Sequence, residues 1–352
     1  MNLNELLSPF ELLSSENFRV DSDVNANSVV TIPNGIIFAV EWGYSAPPVA
    51  AATLTITDGG TTRRQIPITQ DGPQQIIFRP ALKARLAAND LVVTLSAGGA
   101  GITSYLNVSA IELPRPASFV QEAADQALNA ALTVTLPGLP IAGNMLVAVI
   151  AALSDSTTSV YGAVEVVEVK TADSEQMFSR ATFVGGTVNT GGGRGGGGLL
   201  RTVRAEIWYL PLGAVSAGDD DIIISVVAPD GSNYRIAANV SEYRGLEAQA
   251  PIASNSNTGA SSDSPETNPV APSSANAVIV GGAAITAQQG NITDGPENDF
   301  TALASDGSAD SPALCVAAAY LLPTVIGSYE TGWTLSGTLG WVGVIAAFKS
   351  TV

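Results

Sequence analysis

Carboxylates are the side chains of this sequence that could do chemistry without help from histidine. Glu165 and Glu168 are three residues apart in GAVEVVEVK, and glycoside hydrolysis needs only a pair of such groups. In an alternating strand, however, residues three apart point to opposite faces, which is typical of ordinary surface charge. A serine nucleophile would lack its usual base, because the 352 residues include no histidine. The sequence therefore disfavours catalysis, and a carboxylate-only glycosidase is the enzyme class that it leaves open.

Two acidic clusters and one glycine run are the other chemical signals. Residues 219–221 (DDD) and 294–299 could offer oxygen ligands to Ca²⁺, but neither has the spacing of a dedicated calcium loop. Gly191, Gly193 and Gly196 fit G-x-G-x-x-G, yet a strand-like segment follows them where a nucleotide-binding motif needs a helix. We therefore expect no cofactor and no metal site.

Charge, cysteine content and the apolar segments limit which ligands, disulfides and membrane segments we expect. The net charge is −17, and residues 116–352 hold 22 acidic and only 8 basic side chains. Such a surface repels phosphate and anionic lipid, so we expect neither nucleic acid nor membrane as a ligand. The single cysteine, Cys315, excludes an intrachain disulfide. The first 20 residues lack the pattern of a signal peptide, and the longest apolar run, residues 145–153, is too short to cross a bilayer.

Short strands separated by turn residues would have to position any functional group. Seven are predicted in the first third of the chain and nine in the remainder, which favours β-sandwich or jelly-roll domains. Residues 80–89 (PALKARLAAN) predict one or two helical turns between two of the early strands. The fold class predicted is all-β, with two β-sandwich (jelly-roll or Ig-like) domains.

The domain organisation follows from proline content and from the apolar leucines near residue 1. We predict an N-terminal arm over residues 1–20, a sandwich over 21–113, a Pro-containing linker over 114–117 and a larger sandwich over 118–352. The arm either docks on its own domain or enters a partner through apolar residues of a short predicted helix and just beyond it. These candidate partner-binding residues are Leu3, Leu6, Leu7 and Phe10.

Several predicted strands of the larger domain do not alternate between apolar and polar residues. MLVAVIAAL (145–153), AVIVGGAAITA (277–287), ALCVAAAYLL (313–322) and WVGVIAAF (341–348) are apolar on both faces. A second sheet layer, long loops or a neighbouring subunit must cover the additional face. The Ser/Pro/Asn-rich residues 250–276 are one candidate cover. A neighbouring subunit would indicate an oligomer; trimers and pentamers are favoured, and of these we predict a homotrimer.

Tryptophans give a separate hypothesis, because exposed indole rings stack against sugars. Trp42, Trp208, Trp333 and Trp341 are the four tryptophans, of which Trp42 and Trp208 have apolar neighbours and are typical of core residues. Trp333, in YETGWTLSG, is the best candidate for an exposed ring, although a core position is favoured for it too.

The order of motifs in the second block resembles a recurrent β-sandwich of tailed-bacteriophage virion proteins and some bacterial surface proteins. A turn ending in Gly143 and Asn144 leads into an apolar strand, and a later strand ends in the corner SEYRG, residues 241–245. A Tyr243 hydroxyl could tie this corner to nearby backbone. WVGVIAAFK, residues 341–349, then closes the sheet.

This resemblance implies a non-enzymatic structural protein located in the virion and assembled in the host cytoplasm. The expected role is a capsid decoration (cement) protein or a head fibre, with one domain on the shell and the other projecting from it. Its expected partners are other copies of itself and the major capsid protein or another virion protein. The alternative is a glycan-binding module of a receptor-binding fibre or bacterial adhesin, with a surface glycan as partner.

Overall fold

The computed structural model describes residues 18–24, 26–33, 35–49, 51–68, 73–85, 90–112, 117–154, 164–189, 200–228, 231–274, 276–307 and 313–351. These residues form 24 β-strands and one 3-10 turn, Gln289–Asn291, so the predicted all-β fold class is confirmed. Two compact units are present, Met1–Arg115 and Pro116–Val352. Among the described residues we find no helix with the length and apolar character needed to cross a membrane.

Unit 1 is an eight-stranded sandwich. Its strands are β1 Phe18–Val24, β2 Ser28–Pro33, β3 Gly35–Tyr44, β4 Ala52–Asp58, β5 Thr61–Ile68, β6 Gln74–Lys83, β7 Asp90–Leu95 and β8 Thr103–Glu112. They form two sheets, in the orders β1-β8-β3-β6 and β2-β7-β4-β5. The first strand thus pairs with the eighth, the second with the seventh, the third with the sixth and the fourth with the fifth. A single long hairpin that is rolled up gives the same pairing. This is the jelly-roll arrangement.

Two sequence predictions for unit 1 need correction. Strand β1 begins at Phe18, so the last residues of the predicted arm belong to the sandwich. The predicted helical turns over residues 80–89 are wrong where the structure describes them, because residues 80–83 continue strand β6. There Leu82 and Lys83 pair with residues of β3 beyond a bulge, and this cross-strand pairing overrides the local helical preference.

The first half of unit 2 is a variant of the same arrangement. Its strands are β9 Ser118–Leu128, β10 Leu132–Thr135, β11 Met145–Ser154, β12 Glu165–Thr171, β13 Ser179–Asn189, β14 Leu200–Pro211, β15 Asp221–Val227 and β16 Tyr234–Arg244. The sheets have the orders β13-β14-β11-β16-β9 and β10-β15-β12. Only the fifth strand differs from a jelly roll, since β13 pairs beside β14 instead of joining the smaller sheet.

The second half of unit 2 repeats this variant when the bridged segment at Glu266 and Val270 counts as its second strand position and the short strands Thr301–Ala302 and Asp306–Gly307 together count as its fifth. Its strands are β17 Ala253–Ser262, β18 Ala277–Ile285, β19 Ile292–Asp294, β20 Thr301–Ala302, β21 Asp306–Gly307, β22 Cys315–Leu321, β23 Thr334–Leu335 and β24 Leu339–Lys349. The large sheet has the order β17-β24-β18-β22-β20, with β21 also on β22. The opposite layer is reduced to the pair β19-β23 and to bridges from Glu266 to Gly332 and from Val270 to Tyr329. Unit 2 therefore contains two consecutive sandwiches of one connectivity, where the sequence predicted a single larger sandwich.

The large sheets of the two halves pack face to face, which explains the strands that do not alternate. Every residue of β11 is buried. One face of β11 contacts the small sheet through Leu146 and Ile150, and the other contacts the second half through Val147 and Val149. The outer face of the second large sheet is covered by loop side chains that include Phe300.

Of the three covers that the sequence left open, the structure shows the first two, and a neighbouring subunit is not needed for these faces. A second sheet layer and long loops, both from the same chain, bury the apolar faces. Residues 250–276 contribute to this cover as anticipated, but they also contain strand β17, which pairs with β24. The homotrimer is left as a prediction that must rest on other surfaces.

Candidate interaction surface

The structure places the paired carboxylates differently from the sequence prediction. A bulge after Val166 shifts the register of β12, so that Val166 and Val169 are both buried while Glu165 and Glu168 both turn toward solvent. The predicted placement on opposite faces is therefore wrong, because it assumed an uninterrupted strand. Glu168 lies 3.8 Å from Lys170 Nζ and accepts a hydrogen bond from the Ser225 hydroxyl at 3.5 Å. These contacts are those of surface charge.

In the acidic run at residues 219–221, the first residue, Asp219, has a structural role. Asp219 is buried and accepts hydrogen bonds from the backbone N–H groups of Ser174 and Ser216 and from the Ser174 hydroxyl. Burial alone would raise the pKa of Asp219, but these donors together lower it. Across the described ranges, no group of three or more His, Cys, Asp or Glu side chains is arranged to hold a metal ion.

Other predicted chemical positions are buried or lie outside the described residues. Cys315 is fully buried, and desolvation raises the pKa of its thiol to about 12. The glycines Gly191, Gly193 and Gly196 lie outside the described residues. The predicted partner-binding residues of the arm also lie outside them and stay a prediction: Leu3, Leu6, Leu7 and Phe10.

All four tryptophans belong to hydrophobic cores. Trp333 is only 3% exposed and packs with Phe300 and Leu335 under the second large sheet. The core interpretation favoured for Trp333 is confirmed. The glycan-binding alternative consequently loses the ring on which it was based.

A buried ionic cluster on β13 and β14 was missed by sequence reasoning. The carboxylate of Glu206 accepts hydrogen bonds from Arg204 Nε and from the Trp208 indole N–H, the latter at 2.7 Å. Arg180 lies 3.6 Å from the same carboxylate, and both arginines flank the ring of Phe183. The available signal was the alternation Arg-x-Glu-x-Trp along one face of β14.

This cluster is not arranged for proton transfer to a substrate. Burial raises the pKa of Glu206, although Arg204, the Trp208 N–H and Arg180 oppose the shift. A raised carboxyl pKa is common in general acids. Here, however, both oxygens of Glu206 already accept hydrogen bonds and its side chain is fully buried. The cluster therefore stabilises the sheet.

The corner at residues 241–245 is held by Glu242, and not by Tyr243 as predicted. Tyr243 is fully buried against the rings of Phe119 and Tyr320, and its hydroxyl finds no backbone acceptor among the described residues. Residues alternate across the sheet, so the neighbouring Glu242 points to the opposite face. There its buried carboxylate accepts hydrogen bonds from a loop.

Glu242 fixes the loop between β10 and β11 through three donors. Its oxygens accept from the Ile141 backbone N–H at 2.8 Å and from the side-chain amides of Asn144 and Gln121, each at 2.6 Å. Gln121 also donates to and accepts from the backbone of Gly138. The loop backbone is thereby tied to β9 and β16, while the side chain of Ile141 is 59% exposed.

A second loop presents apolar side chains in the same manner. After β22, Val325 and Ile326 are 63% and 67% exposed. The Tyr329 hydroxyl donates to the Val325 carbonyl at 2.6 Å, and the Tyr329 backbone pairs with Val270. We name residues 137–143 and 322–329 together the end loops. Their exposed apolar side chains are Leu139, Ile141, Leu322, Val325 and Ile326.

Both end loops lie at one end of the stacked sheets. Met145 opens β11 directly after the first loop, and it pairs with Tyr243, which in turn pairs with Phe119. The Phe119 ring stacks on Tyr320 at 5.2 Å between centroids. Tyr320 is the penultimate residue of β22, which leads into the second loop. Exposed apolar groups on loops with a fixed backbone are typical of an interaction surface.

Comparisons with known proteins give only weak likenesses. Neither protein-family models nor curated proteins match the chain. Among solved structures, the major capsid protein P2 of bacteriophage PM2 is similar at 11% identity over 64% of this chain and 96% of that one, with a TM-score of 0.21. A structure described as the triple jelly-roll fold and turret assembly in an archaeal virus is similar at 9% identity over 92% and 81%, with a TM-score of 0.23.

Proposed function

We propose that the chain is a non-enzymatic structural protein of a virion. The observation that carries the proposal is the pair of end loops, whose exposed apolar side chains sit on backbone held by Glu242 and Tyr329. Around them the chain consists of jelly-roll sandwiches, an arrangement used by viral capsid and lectin domains. The carboxylates described above are either surface charge, as for Glu165 and Glu168, or buried hydrogen-bond acceptors, as for Asp219, Glu206 and Glu242. We propose that the molecule acts through surface contact.

The finer proposal is a capsid decoration (cement) protein or head fibre of a tailed phage that self-associates as a homotrimer. Its apolar end loops would contact a partner, either a second copy or the major capsid protein. The strong negative charge of residues 116–352 would limit unspecific association elsewhere on the surface. Burial of the end-loop side chains supplies affinity at about 25 cal/mol per Å², from which the cost of association is subtracted.

The test uses the full chain and a variant of the second end loop, Val325→Ser with Ile326→Ser. We expect the wild-type chain to self-associate in sedimentation, or to bind shells from which it has been stripped. The variant should weaken that association at least about tenfold, because it removes apolar area without touching the core. The control, Val167→Ser with Val227→Ser, changes two exposed valines away from the end loops and should have no effect.

The proposal fails if wild-type protein stays monomeric and does not bind stripped shells. It also fails at this surface if the control weakens association as much as the end-loop variant does.

A further inference from the structure

The outer face of the first sheet of unit 1 carries an ordered row of polar side chains. Across β1, β8, β3 and β6, the register places Val20 opposite Asn107, Asn107 opposite Glu41, and Glu41 opposite Gln75. The Glu41 carboxylate accepts from the Gln75 amide at 2.6 Å and from the Asn107 amide at 3.2 Å. Three planar polar groups are therefore held side by side on a solvent-facing surface.

The next row along the strands contains an aromatic ring and a gap. Tyr105 is 51% exposed, and its partner on β3 is Gly43, which contributes no side chain. Pro73, just before β6, also lines the resulting depression. The depression has a volume of about 340 Å³, which is within the range of small-molecule sites.

The two rows together offer the chemistry that recognises a sugar. An exposed tyrosine ring can stack on the apolar C–H face of a pyranose, while the Pro73 ring gives a second apolar contact. The Glu41 carboxylate and the neighbouring Gln75 amide can bond several hydroxyl groups at once, because the Gln75 oxygen is an additional acceptor. Asn107 serves to orient Glu41, since its amide donates to that carboxylate.

Charge selects among sugars. Glu41 stands at the depression, and the whole chain has a net charge of −17. A sialylated or uronic glycan would bring a second carboxylate toward Glu41 and be repelled. We infer that the depression lined by Tyr105, Gly43 and Glu41 binds a neutral saccharide. This inference goes beyond the proposed structural role, since it gives the particle a contact to a carbohydrate surface.

The experiment is an array of neutral and sialylated glycans probed with the full chain, followed by saturation-transfer NMR on any bound glycan. We expect binding to at least one neutral glycan and none that requires sialic acid. Tyr105→Ala should weaken this binding about tenfold or more by removing the stacking surface, while Tyr105→Phe should retain most of it. Phe183→Ala is the matched control, because Phe183 is a similarly exposed aromatic residue, at 49%, in unit 2.

Three results would overturn the inference. The first is that the chain binds no neutral glycan on the array. The second is that Tyr105→Ala leaves glycan binding unchanged. The third is a loss of self-association in Tyr105→Ala with no effect on glycans, which would assign the depression to contact between copies. Tyr105 is remote in sequence from the end loops. Measuring whether Tyr105→Ala still binds shells therefore distinguishes a failure of the glycan inference from a failure of the proposed structural role.

Discussion

At the scale of single residues, buried carboxylates hold the structure together. Glu242, Asp219 and Glu206 each accept hydrogen bonds from two or more groups, and all three are fully buried. Charge-assisted hydrogen bonds of this kind are stronger than neutral ones, and a donor left without its acceptor is costly. Of the three, Glu242 connects the sheet with the first end loop.

Substitution of Glu242 tests this connection. Glu242→Ala removes the acceptor that the Ile141 N–H and the Asn144 and Gln121 amides share, so we expect it to lower the free energy of unfolding by about 3 kcal/mol in urea titrations. Hydrogen exchange at Ile141 should become faster, since its N–H loses its partner. Glu165→Ala, at an exposed carboxylate, is the control and should change neither quantity measurably. An unchanged Ile141 exchange rate in Glu242→Ala would refute the proposed anchoring.

Sequence reasoning located the corner that contains Glu242 but gave the anchoring role to its neighbour. The pattern SEYRG showed a strand end with polar groups, yet which face each residue takes depends on the register with β11. Similarly, the bulge at Val166 could not be read from alternation, and it moved Glu165 and Glu168 onto one face. Faces are set by cross-strand pairing, which is a property of contacts distant in sequence.

At the scale of elements, unit 2 is held together mainly by the face-to-face packing of its two large sheets. Gly282 of β18 allows it: a Cβ there would lie 2.2 Å from Val149 Cγ1 of β11. The pair GG in AVIVGGAAI is thus a point of close approach between layers.

A double-mutant cycle tests this contact. Gly282→Ala should destabilise the protein by about 1–3 kcal/mol through overpacking, and Val149→Ala by about 2 kcal/mol through a cavity. Combined, they should cost at least about 1 kcal/mol less than their sum, because the new methyl group occupies the space that Val149 leaves. Gly337→Ala is the control, since a Cβ at Gly337 meets nothing within 4 Å. Strict additivity in thermal or urea unfolding would contradict the proposed packing.

Most strands could be predicted from the sequence, whereas their partners could not. GIIFAVEWGY, residues 35–44, is one of the seven strands predicted in the first third and coincides with β3, and the apolar run 145–153 lies within β11, because such apolar segments are local signals. Strands β9, β13 and β17 were missed because they contain Gln, Asp, Gly, Ser or Asn at many positions. All three are edge strands of the large sheets, where pairing with one neighbouring strand stabilises a segment despite its polar composition.

At the scale of the whole molecule, unit 2 uses one connectivity twice. In each half, five strand positions form a large sheet and three form a small layer, but the small layer of the second half is only bridges and the pair β19-β23. No sequence period marks the repeat, because strand lengths and loops differ between the halves. The sequence therefore indicated an apolar face in need of cover, and the chain supplies that cover itself.

The described faces of the apolar strands in unit 2 are buried within the chain, so they do not form contacts between subunits. Any oligomer must use groups at the surface instead. The end loops and the predicted arm, residues 1–20, are the candidates.

The most direct test is cryo-electron microscopy and quantitative mass spectrometry of purified particles made by the genome that encodes this chain. If the chain is a virion structural protein, it should be present in a fixed ratio to the shell subunit, with density for its sandwiches on the particle and the end loops in contact with a neighbour. Absence of the chain from intact particles, with the protein found only free in the lysate, would contradict the proposal.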